Sequence, residues 1–409
     1  MSGKILWIGS YQSETLFEKM LATHIGQASS YAAQKGIIKG MDEVLPEDCV
    51  LDTLGAISYP AYPTYPKMRV RTEEWSRTGK SHDKLVGFLN IKYANYFLRQ
   101  KALSRAIRNW GKKESDPQSN TVFVFEPGVT KLREALSLKE KYGAKVFVII
   151  PDIPELVNLG ANKIVHRMKN RNAKKMRDLF KKVDGFILYS AHMAEYYHIP
   201  AGKWMLMEGV FDTDESAPDV SNEEHDTVRL MYCGALDEFR GIPQLLDAFD
   251  SLTDRKYELW LAGSGRSDAL IRERTAGDNR IHYFGYLPSR EDVLELENKA
   301  DILIHTRDIN SPAAPYCFPS KVFEYLATGK LVLSVIIPGI PSEYFDYMIP
   351  IKEFSVEGIK NAIQQAVSIT PEEQTEKGKK AREFILNNKN SRVQAGKILD
   401  FARIEQRGK

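Results

Sequence analysis

The chain has 409 residues, 43% of them hydrophobic and 27% charged, with a formal net charge of +3. That length holds two domains, each able to bury its own core, and the composition is that of a globular protein rather than a disordered or fibrous one. Cys49, Cys233 and Cys317 are far apart and odd in number, which argues against a disulfide framework or a cysteine zinc site and fits a reducing cytosol; no apolar run reaches membrane-spanning length, and the first ten residues enter a strand rather than a signal peptide.

Lys4-Ile5-Leu6-Trp7-Ile8-Gly9 is a compact apolar run ending in Gly, as in a first parallel strand. A helix is expected over 28–41, weakened by Gly36 and Gly40. Residues 56–82 are too long for a mere connection. There Tyr59, Tyr62 and Tyr65 alternate with Pro60, Pro63 and Pro66, and Arg69, Arg71 and Trp75 follow. Tyr62, Tyr65 and Arg69 suit stacking on sugar rings or a lipid interface; a loop pinned by its own aromatics fits equally. A long helix is expected over 85–110, then strand 121–125, helix 131–142 and strand 145–150. This alternation argues a parallel sheet with helices on both faces. Ligands of such sheets bind beyond the carboxyl ends of the strands, which singles out Glu126 and Asp152 as acceptor-binding candidates. A helix cap is the competing role for Asp152.

Residues 163–182 hold nine Lys or Arg and one acid, Asp178. With Ile164, Met168, Met176, Leu179 and Phe180 interleaved, the segment reads as a basic amphipathic helix suited to an anionic membrane surface, or as a plain solvated face. It adds to an asymmetry that the net charge hides. Residues 1–205 carry 32 Lys/Arg and 20 Asp/Glu, against 25 and 34 in residues 206–409. A basic first half implies an anionic partner or an acidic neighbouring domain. No nucleic-acid recognition motif is present.

Strands 186–189 and 204–208 are followed by a polar, acidic stretch, 212–225, expected as the interdomain linker. The second half repeats the rhythm. Its strands are expected at 228–232, 257–261, 280–284, 302–305 and 331–335, and its helices at 243–252, 268–276, 290–298 and 320–328. Beyond Phe354 the chain reads as helical with a break near 387–390. Gly234 and Gly263-Ser264-Gly265 sit at strand ends, where backbone can approach a phosphate. Arg307 ends another strand and adds positive charge. In Phe318-Pro319-Ser320-Lys321-Val322-Phe323-Glu324-Tyr325-Leu326-Ala327-Thr328-Gly329-Lys330, Ser320 or Pro319 starts a helix and Gly329 ends it. Lys321 and Glu324 share a face. Such a start can hold phosphate on N–H groups and Lys, and ribose on Glu. A surface ion pair on an ordinary helix is the plainer reading.

This last motif resembles that of retaining glycosyltransferases of the GT-B fold, family 4, and is most similar to bacterial capsular and exopolysaccharide enzymes. The resemblance extends through 301–307, Pro338-Gly339-Ile340-Pro341-Ser342-Glu343-Tyr344, Cys233-Gly234-Ala235, Arg240-Gly241 and 261–265, covering most of 228–350 and fading in the N-terminal half. It implies an α/β protein of GT-B architecture, with two Rossmann-like domains facing across a cleft. These would be an acceptor-binding domain at 1–213, a nucleotide-sugar-binding domain at 214–388 and a helix at 389–409 crossing back to the first domain. Val393, Ile398, Phe401 and Ile404 are its expected buried stripe, and the loop after the first strand, with His24, faces the cleft.

The implied activity is retaining transfer of a hexose from a nucleotide sugar, expected to be UDP-linked, to a polysaccharide or lipid-linked saccharide acceptor. The implied donor site is Gly234, Arg240, Gly263, Ser264, Tyr286, Arg307, Ser320, Lys321 and Glu324, with Tyr286 near the base and Arg240 on the diphosphate. Arg240 and Lys321, with Asp152 from the acceptor side, form the expected catalytic set. Cationic side chains carry the phosphate charge and no Asp-x-Asp pair sits in a strand-end loop, so no metal or other cofactor is expected. The expected place is cytoplasmic, on the inner face of the cell membrane. Two departures stand out: Ala235 where many relatives have a basic residue, and Tyr316 where many have a Glu. They leave open an accessory subunit that supports a partner glycosyltransferase; a sugar-nucleotide epimerase of the same fold is a further alternative.

Overall fold

The computed structural model describes residues 3–21, 28–113, 120–156, 163–213, 225–287, 289–404 and 406. His24 and residues 214–224 of the expected linker lie outside them. The chain divides into two compact units, Met1–Val210 with Ser391–Lys409, and Phe211–Asn390.

The first unit runs β1 (Lys4–Gly9), α1 (Glu14–Leu21), α2 (Ala28–Val44), β2 (Val50–Gly55), β3 (Arg69–Val70), β4 (Glu73–Trp75), β5 (Asp83–Leu85), β6 (Phe88–Leu89), α3 (Asn95–Lys113), β7 (Thr121–Phe125), α4 (Val129–Tyr142), β8 (Lys145–Ile150), α5 (Lys163–Phe180), β9 (Gly185–Leu188), α6 (His192–Tyr196) and β10 (Trp204–Leu206). Its main sheet has the order β10-β9-β8-β7-β1-β2-β5-β4, and β4 alone pairs antiparallel. β1, β7 and β8 are unbroken apolar runs because helices cover both faces of the sheet. Trp7 is fully buried, with its ring 5.6 Å from Phe125 and its Nε1–H donating to Gln34 Oε1 at 3.2 Å.

α1 forms within the loop expected after the first strand, β3 and β4 form within the expected loop 56–82, and two further stretches differ from expectation. β2 is a central strand that the sequence hides, because Asp52 and Thr53 interrupt its apolar run. Both are buried and bonded: Asp52 accepts from Trp110 Nε1 at 2.8 Å, and Thr53 donates to Asp83 at 2.9 Å. The helix expected over 85–110 starts only at Asn95. Ahead of it, β6 pairs antiparallel with β3. A side chain at Gly87 would lie 2.5 Å from Val70 O, and the buried Asn90 donates through Nδ2 to Pro60 O at 2.8 Å. A tight ribbon therefore replaces nearly three of the expected helical turns.

The second unit runs β11 (Val228–Ala235), α7 (Ile242–Asp250), β12 (Tyr257–Ser264), α8 (Asp268–Gly277), β13 (Ile281–Gly285), α9 (Arg290–Lys299), β14 (Ile302–His305), α10 (Ser320–Thr328), β15 (Leu331–Val335), β16 (Ile349–Ile351), α11 (Val356–Ser368) and α12 (Pro371–Asn388). Its six strands are all parallel, in the order β13-β12-β11-β14-β15-β16. β16 was not expected, since three residues cannot declare a period. α13 (Ser391–Ala402) returns to the first unit and packs on α2. Its buried face is Gln394, Ala395, Ile398, Leu399 and Ala402; of the expected stripe only Ile398 is fully buried, and Val393, Phe401 and Ile404 are partly exposed.

Candidate functional site

In the second unit β11 is central, with β12 on one side and β14 on the other, so the strand order reverses between β11 and β14. Ligands of open parallel sheets bind at the carboxyl ends beside such a point. Every donor-site candidate lies at these ends. Gly234 lies in the last two residues of β11, Gly263 and Ser264 end β12, Tyr286 follows β13, Arg307 follows β14, and Ser320, Lys321 and Glu324 open α10.

Arg240 and Arg307 are brought together from two loops. Thr306 Oγ1 donates to Arg240 O at 2.7 Å, and Asp308 N donates to Phe239 O at 2.9 Å. Nε of each guanidinium is buried without a hydrogen-bond partner. Burial first, and the like charge of Arg307 second, pull the Arg240 pKa down. Two cations with unsatisfied donors in one crevice are what an anion would satisfy. His305 lies just before, its Nδ1 2.9 Å from Ser334 Oγ and its Nε2 buried without a partner. Burial, with help from Arg307 and Arg240, lowers its pKa to about 3, so it is neutral.

Lys321 and Glu324 meet as their spacing implies, at 2.6 Å. Neither acts alone. Arg290 Nη1 donates to the same Glu324 oxygen at 3.0 Å, and Glu297, fully buried on α9, lies 3.7 Å from Lys321 Nζ with no hydrogen bond to either of its oxygens. Burial opposes charge on Lys321, but Glu324 and Glu297 outweigh it and hold the ammonium above its ordinary pKa. Burial dominates at Glu297 and raises its pKa. The Tyr325 hydroxyl accepts from Cys233 N at 2.8 Å and donates to Cys233 O at 3.1 Å, which pins α10 to the end of β11 and sets Lys321 beside Gly234. Arg290 and Glu297 escaped the sequence reading. Their signal is that they share the spacing of Val293, so an acid falls on the apolar stripe of α9.

The glycines differ in role. At Gly234, φ is 149°, and a side chain there would have no atom closer than 3.7 Å, so the backbone is open to a ligand. At Gly263 an added Cβ would lie 1.8 Å from Gly234 O, so this glycine lets two strand ends touch. Ser264, Ser320 and Tyr286 are exposed.

In the first unit the corresponding reversal falls between β1 and β7. Glu126 follows β7 in a left-handed conformation, φ 48°, and accepts from Ser30 Oγ at 2.6 Å. Asp152 follows β8 and is exposed; α5 begins eleven residues later, so Asp152 does not cap it. The buried Tyr189 hydroxyl, just after β9, has no hydrogen-bond partner; burial, Glu126 and Asp152 hold it well above its ordinary pKa. Tyr62 and Arg69 are exposed, whereas Tyr65 is half-buried and stacks on Tyr59 at 4.6 Å. On α5, side chains of 163–170, Ile164 and Met168 included, lie outside the described residues. Met176 and Phe180 are buried, the latter 5.2 Å from the Phe186 and Tyr197 rings. The outward face of residues 171–182 is therefore cationic without an apolar stripe. Among the described residues no helix is long and apolar enough to cross a membrane, and no three His, Cys, Asp or Glu side chains cluster as metal ligands would.

The fold is that of GT-B glycosyltransferases, an α/β fold of two units with parallel sheets. Across 98% of both chains, this protein is similar to sucrose-phosphate synthase from Thermosynechococcus elongatus, at TM-score 0.67 and 15% identity. Anabaena HepE in complex with UDP and glucose aligns over 98% of this chain and 99% of its own, with TM-score 0.61 and 13% identity. The E. coli trehalose-6-phosphate protein bound with UDP-2-fluoro glucose aligns over 99% and 100%, with TM-score 0.66 and 9% identity. Residues 227–368, within the second unit, match the family described as glycosyl transferases group 1. Among curated proteins no sequence match is found.

Proposed function

We propose that the protein is a retaining, metal-independent hexosyltransferase that uses a nucleotide sugar, UDP-linked, and a polysaccharide or lipid-linked saccharide acceptor. The observation that carries the donor side is the Arg240–Arg307 pair, cationic and short of acceptors, beside Lys321 at the β11/β14 crevice. That crevice belongs to the segment matching glycosyl transferases group 1, and HepE, of the same fold, binds UDP and glucose. The two arginines and Lys321 bind the diphosphate and stabilise its charge as it leaves. Glu324 accepts from ribose once Lys321 turns to phosphate, and Tyr286 lies by the base. The bond from the sugar C1 to phosphate oxygen breaks as a bond from C1 to the acceptor oxygen forms on the same face. The acceptor proton passes to the leaving phosphate. Retention rests on the resemblance of 318–330 alone. Glu126, Asp152, Tyr62, Tyr65 and Arg69 are proposed acceptor contacts, with Asp152 the group that orients the attacking hydroxyl. The work is done in the cytoplasm at the inner face of the cell membrane.

Calorimetry with UDP and other nucleoside diphosphates, paired with donor turnover in excess EDTA, tests this. Arg240→Ala should weaken UDP by roughly 1.5–3 kcal/mol, the worth of a hydrogen bond to a charged group. Unchanged affinity removes Arg240 from the site, and turnover lost to EDTA and restored by magnesium overturns metal independence. Binding without transfer to any acceptor favours the accessory-subunit reading, to which Ala235 and Tyr316 lend support.

A further inference from the structure

The basic helix α5 is one candidate for the proposed membrane contact, but of its described apolar residues Met176 and Phe180 are spent in the core of the unit and Leu179 is half-buried. Among the described residues of the first unit, the large exposed apolar side chains lie elsewhere. Met68, Leu89, Ile91, Tyr93, Tyr96 and Phe97 are all exposed, Tyr93 by 87% and Phe97 by 68%. They form one patch. β3 and β6 pair Arg69 with Leu89, Asn90 N donates to Met68 O at 2.7 Å, and Asn95 N donates to Ile91 O at 2.8 Å where α3 begins. The buried side of α3 is Leu103, Ile107 and Trp110, so the aromatics at its start do not serve that core. Next to the patch, and sharing Met68 and Leu89 with it, runs a groove of about 1300 Å³ with an apolar floor of Ile57, Val86 and Phe88.

The charge around this patch is mostly positive. Segments 56–72 and 88–113 contain ten Lys or Arg and not one Asp or Glu. Lys92 lies 5.3 Å from the Tyr93 ring and Arg99 5.8 Å from that of Tyr96. Phe97, Lys101 and Arg105 follow at helical spacing, so cations continue the aromatic end along α3. Glu73, on the neighbouring β4, also lines the groove, where Lys67, Arg69 and Arg71 outnumber it. Aromatic rings with Lys and Arg stems suit the headgroup boundary of a bilayer, and cations favour an anionic one.

We infer that the surface formed by Met68, Leu89, Ile91, Tyr93, Tyr96 and Phe97, with the cations of α3 beside it, is the membrane-docking surface, with Tyr93 and Phe97 entering the headgroup boundary of an anionic leaflet and α5 adding long-range attraction. The inference refines the membrane part of the proposed function, and its test reads vesicle binding without any sugar nucleotide. Failure of the transferase reading would show instead in vesicle-free UDP binding and turnover.

The full chain should co-sediment with vesicles of phosphatidylglycerol and phosphatidylcholine, and much less with phosphatidylcholine alone. Tyr93→Ser with Phe97→Ser should weaken that binding by roughly tenfold or more, the effect expected for withdrawing two aromatic anchors. Phe97→Trp should retain it, and the thermal transition should stay unchanged because both residues are exposed. Lys174→Glu with Lys175→Glu should have the smaller effect, one that fades with salt. The inference falls if no vesicle is bound, if neutral and anionic vesicles bind alike, or if the α5 variant abolishes binding while the serine variant binds like the parent. It also falls if sedimentation equilibrium shows a dimer that the serine variant dissolves, which would make the patch a contact between copies.

Discussion

His305 shows how a donor-site neighbour sets acid stability. Its imidazole is buried between Ser334 and the two crevice arginines, with a pKa near 3 when folded against about 6.5 when unfolded. Between those values the unfolded chain binds the extra proton, so stability rises with pH across that window and falls as acid is added. At pH 5 the loss from this residue is about 2 kcal/mol relative to pH 7. His305→Gln should be less stable at pH 7, from altered packing, yet show a shallower acid limb between pH 6.5 and 4. Urea unfolding at several pH values measures the slope, and parallel limbs in parent and variant would refute the assignment. His305 was part of a strand in the sequence and nothing more. Its role depends on Ser334, Arg240 and Arg307, each on a different element, and no local pattern carries such a meeting. Lys321 with Glu324 was legible because three residues of helix fix the contact; the Arg290 and Glu297 partners come from another helix and were not.

At the scale of elements, β11 and β12 run in register to their last residues, Gly234 opposite Gly263 and Ala235 opposite Ser264. Both backbones then turn into the loops that hold the candidate donor groups. Gly263 has φ 133°, where a side chain is strained, and its Cβ would collide with Gly234 O. Gly263→Ala must therefore push the two strand ends apart, at a cost on the order of 2–4 kcal/mol. UDP affinity should fall with it, since Gly234 and the Arg240 loop follow directly. Ser264→Ala, one residue on and exposed, serves as the control for stability. Thermal unfolding with and without UDP measures both, and a Gly263→Ala protein that melts like the parent would show that the strand ends can part freely. The sequence marked both glycines as places where backbone nears a phosphate. For Gly263 the near neighbour is the chain itself, a distinction that composition at strand ends cannot make. The α and β periods were legible wherever apolar runs were unbroken. They failed at β2, whose Asp52 and Thr53 look like loop chemistry, and at 85–94, where Gly87 and Asn90 tie a ribbon together.

At the scale of the whole chain, the first unit is discontinuous: its last helix is read after the second unit has been completed. α13 buries Ile398 and Leu399 fully, and Gln394 Nε2 donates to Gly209 O at 2.7 Å. Phe401 packs 5.8 Å from the Phe147 ring and would touch any side chain at Gly185. Gly40 of α2 admits the helix so closely that a Cβ there would lie 2.0 Å from Ser391 O. Burying side chains of this size is worth about 1.5–3 kcal/mol each, so losing α13 removes on the order of 5 kcal/mol or more. That matches the whole stability of a marginal domain, about 5–15 kcal/mol. A chain ending at Asn390 should therefore keep its second unit folded while residues 3–210 open. Limited proteolysis followed by mass mapping reads this directly, with early cleavage expected in residues 3–210 and resistance in residues 225–390. Gly40→Val in the full chain should give a milder version of the same map, because it displaces the helix without deleting it. If the shortened chain is cut no faster than the parent within residues 3–210, α13 is an appendage and the first unit closes without it.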